Sequence, residues 1–145
     1  MSPTLRIYAA AALLLAVNIL WLWVKSGFVR GATKTAMNKE DTSTVAKGAK
    51  LVEEDPPDVA RVLRAHRNAV DNIVPFLAAG LVFALAGAGP IAAASAFGVF
   101  VLARITHSIA YLRSLQPLRT GAFVLGFGVT LVLVVWDLVL IVQGA

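Results

Sequence analysis

The chain has 145 residues, of which 59% are hydrophobic and 14% are charged. A soluble domain of this size carries about 25% charged and 45–50% apolar residues. The apolar excess excludes an ordinary soluble domain and a disordered chain, and it indicates a membrane protein. Because the sequence has no cysteine, disulfides, thiolate metal ligands and a cysteine nucleophile are excluded. The net charge of +5 would suit a nucleic-acid binder, but the basic residues cluster at the ends of apolar segments.

Four apolar segments are long enough to cross a membrane as helices, which requires about 20 residues. The first segment ends in Trp21, Trp23 and Lys25, and such interfacial anchors favour a retained helix over a cleaved signal peptide. The sequence therefore predicts an all-α, four-helix membrane bundle that forms a single domain. The predicted spans, with a polar loop over 25–57, are residues 5–24, 58–86, 91–113 and 118–142.

Lysine and arginine concentrate on one side of the predicted bundle. The loop over 25–57 and the start of the second span hold most of them, and the turn between the third and fourth spans adds Arg113 and Arg119. The opposite side carries Arg6. The positive-inside rule therefore puts the loop in the cytoplasm and both termini outside it. The short connections and bare termini favour a bacterial inner membrane over an internal eukaryotic membrane.

Polar side chains recur inside the apolar spans, where a charge at the membrane centre costs roughly 2.5–3.5 kcal/mol. They form two stripes at helical spacing, Arg64, Asn68 and Asp71 in the second span and Arg104, His107 and Tyr111 in the third. Both stripes lie toward the cytoplasmic side, so we expect them to face one another across a hydrated or ligand-filled pocket. For Arg104 itself, the pattern fits internal pairing and ligand binding equally well.

The charge pattern of this pocket indicates the kind of ligand. Several guanidinium groups beside one carboxylate suit a small zwitterion of net negative charge, because arginine binds carboxylates bidentately. Asp71 would pair with an ammonium group or hold an arginine in place. The adjacent apolar spans offer a site for a lipophilic compound from the bilayer. No metal site is expected, because His66 and His107 lack the spacing of a shared helical site.

Residues 64–76 resemble the signature of the MAPEG superfamily (membrane-associated proteins in eicosanoid and glutathione metabolism). They read Arg-Ala-His-Arg-Asn-Ala-Val-Asp-Asn-Ile-Val-Pro-Phe. Residues 104–112 and 117–119 are most similar to the microsomal prostaglandin E synthase branch, which we group with the microsomal glutathione transferases. The resemblance implies a homotrimer of four-helix subunits that binds glutathione between subunits, near the cytoplasmic side.

The resemblance also implies roles for individual residues. Arg119, Thr120 and Asp41 would serve the chemistry, with Arg119 stabilising the thiolate or assisting its reaction and Asp41 working with Arg119. Asp71 replaces the family's usual glutamate, Thr120 replaces a serine and Phe123 replaces a tyrosine. These departures weigh against prostaglandin isomerisation more than against glutathione binding. The residues that would bind glutathione are Arg30, Arg64, Arg67, Asn68, Asp71, His107 and Tyr111.

The implied function is that of a glutathione-dependent transferase, isomerase or peroxidase acting on a lipophilic electrophile. A non-catalytic, lipid-binding member of the family is the alternative, and Arg119 with Thr120 argues against it. A four-helix multidrug exporter relies on an acidic residue in its first span, and residues 5–24 contain none. Asp137 in the fourth span is expected to pair structurally. A nucleic-acid interface is disfavoured, because the loop mixes charges of both signs and lacks interleaved aromatic residues.

Overall fold

The computed structural model describes residues 1–144, and helices make up most of this part of the chain. The predicted all-α membrane bundle is confirmed, and the chain is an integral membrane protein. The helices long and apolar enough to cross a membrane are α1 (Pro3–Thr33), α3 (Pro57–Leu85), α4 (Pro90–Leu112) and α5 (Gln116–Val142). Between α1 and α3 lie β1 (Thr35–Ala36), α2 (Lys39–Ser43) and β2 (Lys50–Leu51).

The first helix is longer than the predicted span. We expected the span to end at residue 24 and a polar loop to begin at residue 25, but α1 continues to Thr33. Hydropathy marks where the apolar stretch ends, whereas a helix can continue into water as long as its backbone hydrogen bonds are kept. The helix ends at Lys34, whose left-handed backbone (φ 51°) lets its N–H bond the Gly31 carbonyl. The extension places Arg30 in the last turn of α1.

Proline marks the start of all four long helices. Pro3, Pro57, Pro90 and Pro117 each occupy the first or second helical position. Proline is favoured there because its missing N–H would have no intrahelical partner at that position. These prolines therefore mark where each helix starts without costing it a hydrogen bond. The turns between α3, α4 and α5 are short.

The polar loop folds back onto the end of α1. Strands β1 and β2 pair in parallel, with Thr35 opposite Lys50 and Ala36 opposite Leu51. The ladder is held by hydrogen bonds from the Lys50 N–H to the Lys34 carbonyl and from the Val52 N–H to the Ala36 carbonyl, both 2.9 Å. This pairing closes the loop around α2 and fixes it against the membrane end of α1.

An aromatic cluster joins α1, α3 and α4 in the half of the bundle farther from this loop. The rings of Phe76 and Phe100 are stacked, with their centroids 3.7 Å apart. Phe97 makes edge-to-face contacts with Phe76 at 5.5 Å and with Phe83 and Tyr8 at 6.0 Å. Edge-to-face pairs such as those of Phe97 stabilise beyond the area they bury. They fix the helix positions around the polar half.

Polar side chains replace the aromatic rings in the half of the bundle near the loop. Asn18 of α1 donates from Nδ2 to the Ser108 Oγ at 3.1 Å, and Ser108 donates to the Arg104 carbonyl at 3.0 Å. The Arg104 side chain is fully buried. Helix α5 packs against this side chain at the buried Gly126, where an added Cβ would already touch the Arg104 Cδ at 3.4 Å. A side chain larger than that of alanine at position 126 would therefore have to displace the arginine.

We predict that Gly126→Leu destabilises the bundle by about 1–3 kcal/mol, because the larger side chain must displace Arg104. Gly128→Leu is the matched control, since a Cβ at Gly128 would meet no heavy atom within 4 Å in residues 1–144. Thermal unfolding in detergent micelles measures both changes. Equal loss of stability in the two variants would show that the helix interior resists any leucine, and not that Gly126 accommodates Arg104.

Candidate functional site

Arg104 joins the two predicted polar stripes through one residue of α3, Asn68. Its Nη2 donates to the Asn68 Oδ1 at 2.7 Å and to the Asn68 carbonyl at 3.2 Å, which ties α4 to α3. The same nitrogen lies 3.5 Å from the His107 Nδ1. Of the two roles that the sequence left open for Arg104, the structure contains internal pairing. Asn72 also donates to the Asn68 carbonyl, at 2.8 Å, so the backbone at Asn68 accepts twice.

The contacts continue from α4 to α5. The rings of His107 and Tyr111 have their centroids 5.7 Å apart, and the Arg119 guanidinium carbon lies 4.8 Å from the Tyr111 ring centroid. A guanidinium over an aromatic face is an attractive cation–π contact. Three helices therefore contribute to one continuous group. We call it the inner polar cluster, formed by Asn68, Arg104, His107, Tyr111 and Arg119.

Four of the predicted site residues thus come together through Arg104, which the prediction did not include among the binding residues. Thr120 lies one residue beyond Arg119 and is exposed. Its Oγ1 accepts from the Gln116 Nε2 at 3.3 Å, so its own hydroxyl hydrogen stays available to another acceptor. Phe123 has its ring centroid 6.3 Å from that of His107 and stacks on Phe127, which gives the cluster an apolar wall on α5.

The remaining predicted residues of α3 lie on a different face. Arg64, Arg67 and Asp71 are exposed and turned away from the buried side of the helix. They begin an exposed row with alternating spacings of three and four residues, which is the spacing of a helix-packing seam. We call this row the α3 seam; its members are Arg64, Arg67, Asp71, Val74, Ala78, Leu81 and Leu85.

Arg30 and Asp41 lie near the loop. Both line a cavity of about 630 Å³ between the end of α1 and residues 34–49. Arg30 forms an ion pair with Asp55, with 2.6 Å between Nη2 and Oδ1. Asp41 accepts from the Asn38 Nδ2 at 3.2 Å. Within residues 1–144 no hydrogen bond or ion pair joins Asp41 to Arg119, so the predicted partnership of these two residues is not made inside this chain.

The inner polar cluster carries positive charge that the chain does not balance. Two Arg104 nitrogens, Nε and Nη1, are buried without a hydrogen-bond partner in the described residues. The ion pair found in this part of the chain is the distant one between Arg30 and Asp55. With Arg119 at its edge, the cluster is suited to attract an anion. No group of three or more His, Asp and Glu side chains in residues 1–144 is placed to hold a metal ion.

Sequence reasoning missed two polar residues of the interior, Asn18 and Ser108. Asn18 is buried in the middle of α1 among leucine, valine and tryptophan, and it reaches Ser108 across 90 positions of sequence. A lone amide inside an apolar span was a usable signal, because polar groups in lipid require a partner. Ser108 gave no such signal, since a serine within a helix often bonds its own backbone carbonyls.

We predict that Asp55→Asn loosens the loop by removing the partner of Arg30. The pair is partly exposed, so the loss is about 0.6 kcal/mol, which corresponds to about threefold faster tryptic cleavage of the folded protein at Lys39 and Lys47. Glu53→Gln is the control, since Glu53 makes no ion pair in the described chain. Unchanged cleavage of Asp55→Asn would show that the strand pairing alone closes the loop.

The chain matches known proteins along most of its length. The model of the MAPEG family matches residues 8–139. Microsomal glutathione S-transferase 1 of Sus scrofa is 42% identical over 127 residues, which cover 86% of this chain and 82% of the relative. Prostaglandin E synthase of Homo sapiens is 35% identical over 125 residues, which cover 86% of this chain and 81% of the relative. The resemblance drawn from residues 64–76 and 104–119 is confirmed, and the chain belongs to the MAPEG family.

Proposed function

We propose that the protein is a membrane transferase or isomerase that uses glutathione against a lipophilic electrophile. The observation that carries this proposal is the inner polar cluster. In it the buried Arg104, which has no carboxylate partner, contacts Asn68 and His107, and ring contacts continue from His107 to Tyr111 and Arg119. The relatives named as a glutathione S-transferase and a prostaglandin E synthase support the same chemistry. A purely lipid-binding role would leave the position of Arg119 beside Thr120 unexplained.

The residues present fit glutathione. The tripeptide offers two carboxylates and one ammonium group, which matches a surface that is rich in donors and has a single acid. Arg64 and Arg67 would bind the carboxylates, and Asp71 would bind the ammonium group. The Asn68 amide accepts from Arg104 through its oxygen, so its NH₂ group is left to donate to a ligand. Arg30 would reach the same ligand from the end of α1.

Glutathione, when bound, supplies the nucleophilic sulfur. A free thiol is mostly protonated at neutral pH, and a nearby guanidinium favours the anion. The Arg119 guanidinium carbon lies 4.8 Å from the Tyr111 ring centroid, so a cation–π contact holds this charge beside the cluster. The Thr120 hydroxyl accepts from Gln116 and has its hydrogen left for the sulfur. Arg119 and Thr120 would therefore stabilise the thiolate, and the apolar wall of Phe123 and Phe127 would admit a lipophilic substrate beside it.

The α3 seam supports a homotrimer. The half of the seam nearer the loop, which we call its inner half, carries Arg64, Arg67 and Asp71, and lipid cannot solvate such charges at low cost. Its outer half is apolar, with Val74, Ala78 and Leu81 exposed. Packing α3 helices of several subunits along this seam would remove the charges from lipid and bring them close to a neighbour. The glutathione site would then lie between subunits.

The same proposal gives the topology of the chain. The basic loop and the turn at Arg113 would face the cytoplasm, and both termini would lie on the other side. The glutathione site would then open toward the compartment that contains glutathione. We expected a bacterial inner membrane, and the mammalian origin of the relatives compared above gives that expectation no support.

The seam can be tested by a bulky substitution. We predict that wild-type protein in mild detergent has the mass of three chains by native mass spectrometry. Ala78→Trp should shift it to a single chain, because the indole keeps the seams apart. Ala94→Trp is the control, since Ala94 is also an exposed alanine of a spanning helix but lies on α4. A trimer that survives Ala78→Trp would contradict assembly through this seam.

The chemistry can be tested at Arg119. Wild-type protein should conjugate glutathione to a small aromatic electrophile in detergent, and no conjugation would overturn the proposed function. Arg119→Ala should lower kcat about 100- to 1000-fold, because a charge that stabilises the anion is lost. The dissociation constant for glutathione should change less than about tenfold. Arg113→Ala, an exposed arginine at the end of α4, is the control, and equal losses in the two variants would remove Arg119 from the chemistry.

A further inference from the structure

Two members of the inner polar cluster, Asn68 and His107, can act either as hydrogen-bond donors or as acceptors. The amide of Asn68 can present either an oxygen acceptor or an NH₂ donor, and the neutral ring of His107 can carry its hydrogen on either nitrogen. What such residues recognise depends on which end faces the ligand. Arg104 has no such freedom, since a guanidinium only donates hydrogen bonds.

The contact with Arg104 settles both orientations. Because Nη2 donates at 2.7 Å, the Asn68 atom that faces it is the oxygen, and the NH₂ group faces away. Within residues 1–144 that NH₂ group donates to no other protein atom. The same nitrogen lies 3.5 Å from the His107 Nδ1, and because a guanidinium only donates, this contact favours a ring that carries its hydrogen on Nε2.

We propose that Arg104 is a positioning residue that sets Asn68 and His107 as donors, so that the cluster selects an anionic ligand. Arg104 does this from inside the bundle, by fixing the polarity of two side chains that lie between it and the ligand. That the anion is glutathione rests on the proposed function. The polarity itself rests on the contacts alone.

Stability does not explain why an arginine occupies this position. A buried cation without a carboxylate is costly, and an apolar side chain of similar length is often as stable or more stable. The surrounding chain nevertheless accommodates it: Gly126 leaves room for its side chain, and Ser108 bonds its backbone carbonyl. A role outside folding is therefore required to account for Arg104.

The first test reverses the polarity of one donor without changing its shape. Asn68→Asp gives Arg104 a charged partner but presents an oxygen acceptor to the ligand. We expect an unchanged or higher unfolding temperature. The dissociation constant for glutathione, measured by titration calorimetry in detergent, should be at least tenfold larger. Retained affinity would overturn the proposal, because the outward donor would then be dispensable.

The second test needs no ligand. The chain has two histidines, so a His66→Gln background leaves His107 as the single imidazole for ¹⁵N NMR. We expect the Nε2–H tautomer when Arg104 is present and a mixture of tautomers in Arg104→Met, which should unfold at no lower temperature. Arg104→Lys should restore part of the preference for Nε2–H. A ring with its hydrogen on Nδ1 in the presence of Arg104, or an unchanged tautomer in Arg104→Met, would overturn the proposal.

Ser108→Ala is the matched control on the same helix. It removes two buried hydrogen bonds of the Ser108 hydroxyl one turn away and leaves the contacts between Arg104, Asn68 and His107 in place. Ser108→Ala should lower the unfolding temperature without changing the tautomer of His107 or the affinity for glutathione. A changed tautomer in this control would show that any loss of packing nearby alters His107, and not the loss of Arg104 in particular.

The two proposals can fail separately. A protein that shows the tautomer shift but does not conjugate glutathione would retain the role of Arg104 and contradict the proposed function. Should Arg104→Met not fold, Asn68→Asp decides, since it keeps Arg104.

Discussion

The polar side chains in the half of the bundle near the loop are oriented by one interaction, the hydrogen bond from the buried Arg104 guanidinium to the Asn68 amide. A cation in a low-dielectric interior must have its N–H groups bonded or its charge balanced. Asn68 supplies two acceptors, and Gly126 supplies the space on α5. Three helices meet around one charge, and because the chain leaves this charge unbalanced, the region is suited to bind an anion.

The two halves of the bundle divide the tasks of stability and recognition. The half farther from the loop is packed by the rings of Tyr8, Phe76, Phe97 and Phe100, and the Tyr8 hydroxyl donates to the Leu77 carbonyl. The half near the loop carries polar groups that lack some of their hydrogen-bond partners, and a site of this kind keeps its geometry only if its helices cannot shift. Side chains on rigid helices hold a site more tightly than loops do. The aromatic packing is therefore part of how the polar cluster keeps its distances.

Periodicity predicted the parts of this structure that a helix determines by itself. It gave four spans and placed Asn68 and Arg104 on polar stripes, because spacing in a helix fixes which residues share a face. It did not give the contact between them, which depends on how α3 and α4 are rotated against each other. It did not give the end of α1, because hydropathy falls at residue 24 while the helix continues to Thr33. The pairing of β1 with β2 could not be predicted, because a strand of two residues is too short to show the alternating pattern of a β-strand.

The exposed seam and the buried cluster pose one electrostatic problem. The inner half of the α3 seam holds Arg64 and Arg67 against a single acid, Asp71, so helices packed along this seam bring net positive charge together. The uncompensated Arg104 adds to it from the interior. Under the proposed function, an anionic tripeptide between subunits relieves this repulsion, and a ligand that binds only the assembled form stabilises it by mass action. Assembly and glutathione binding are then coupled, because the positive charge that repels neighbouring subunits also attracts the anionic tripeptide.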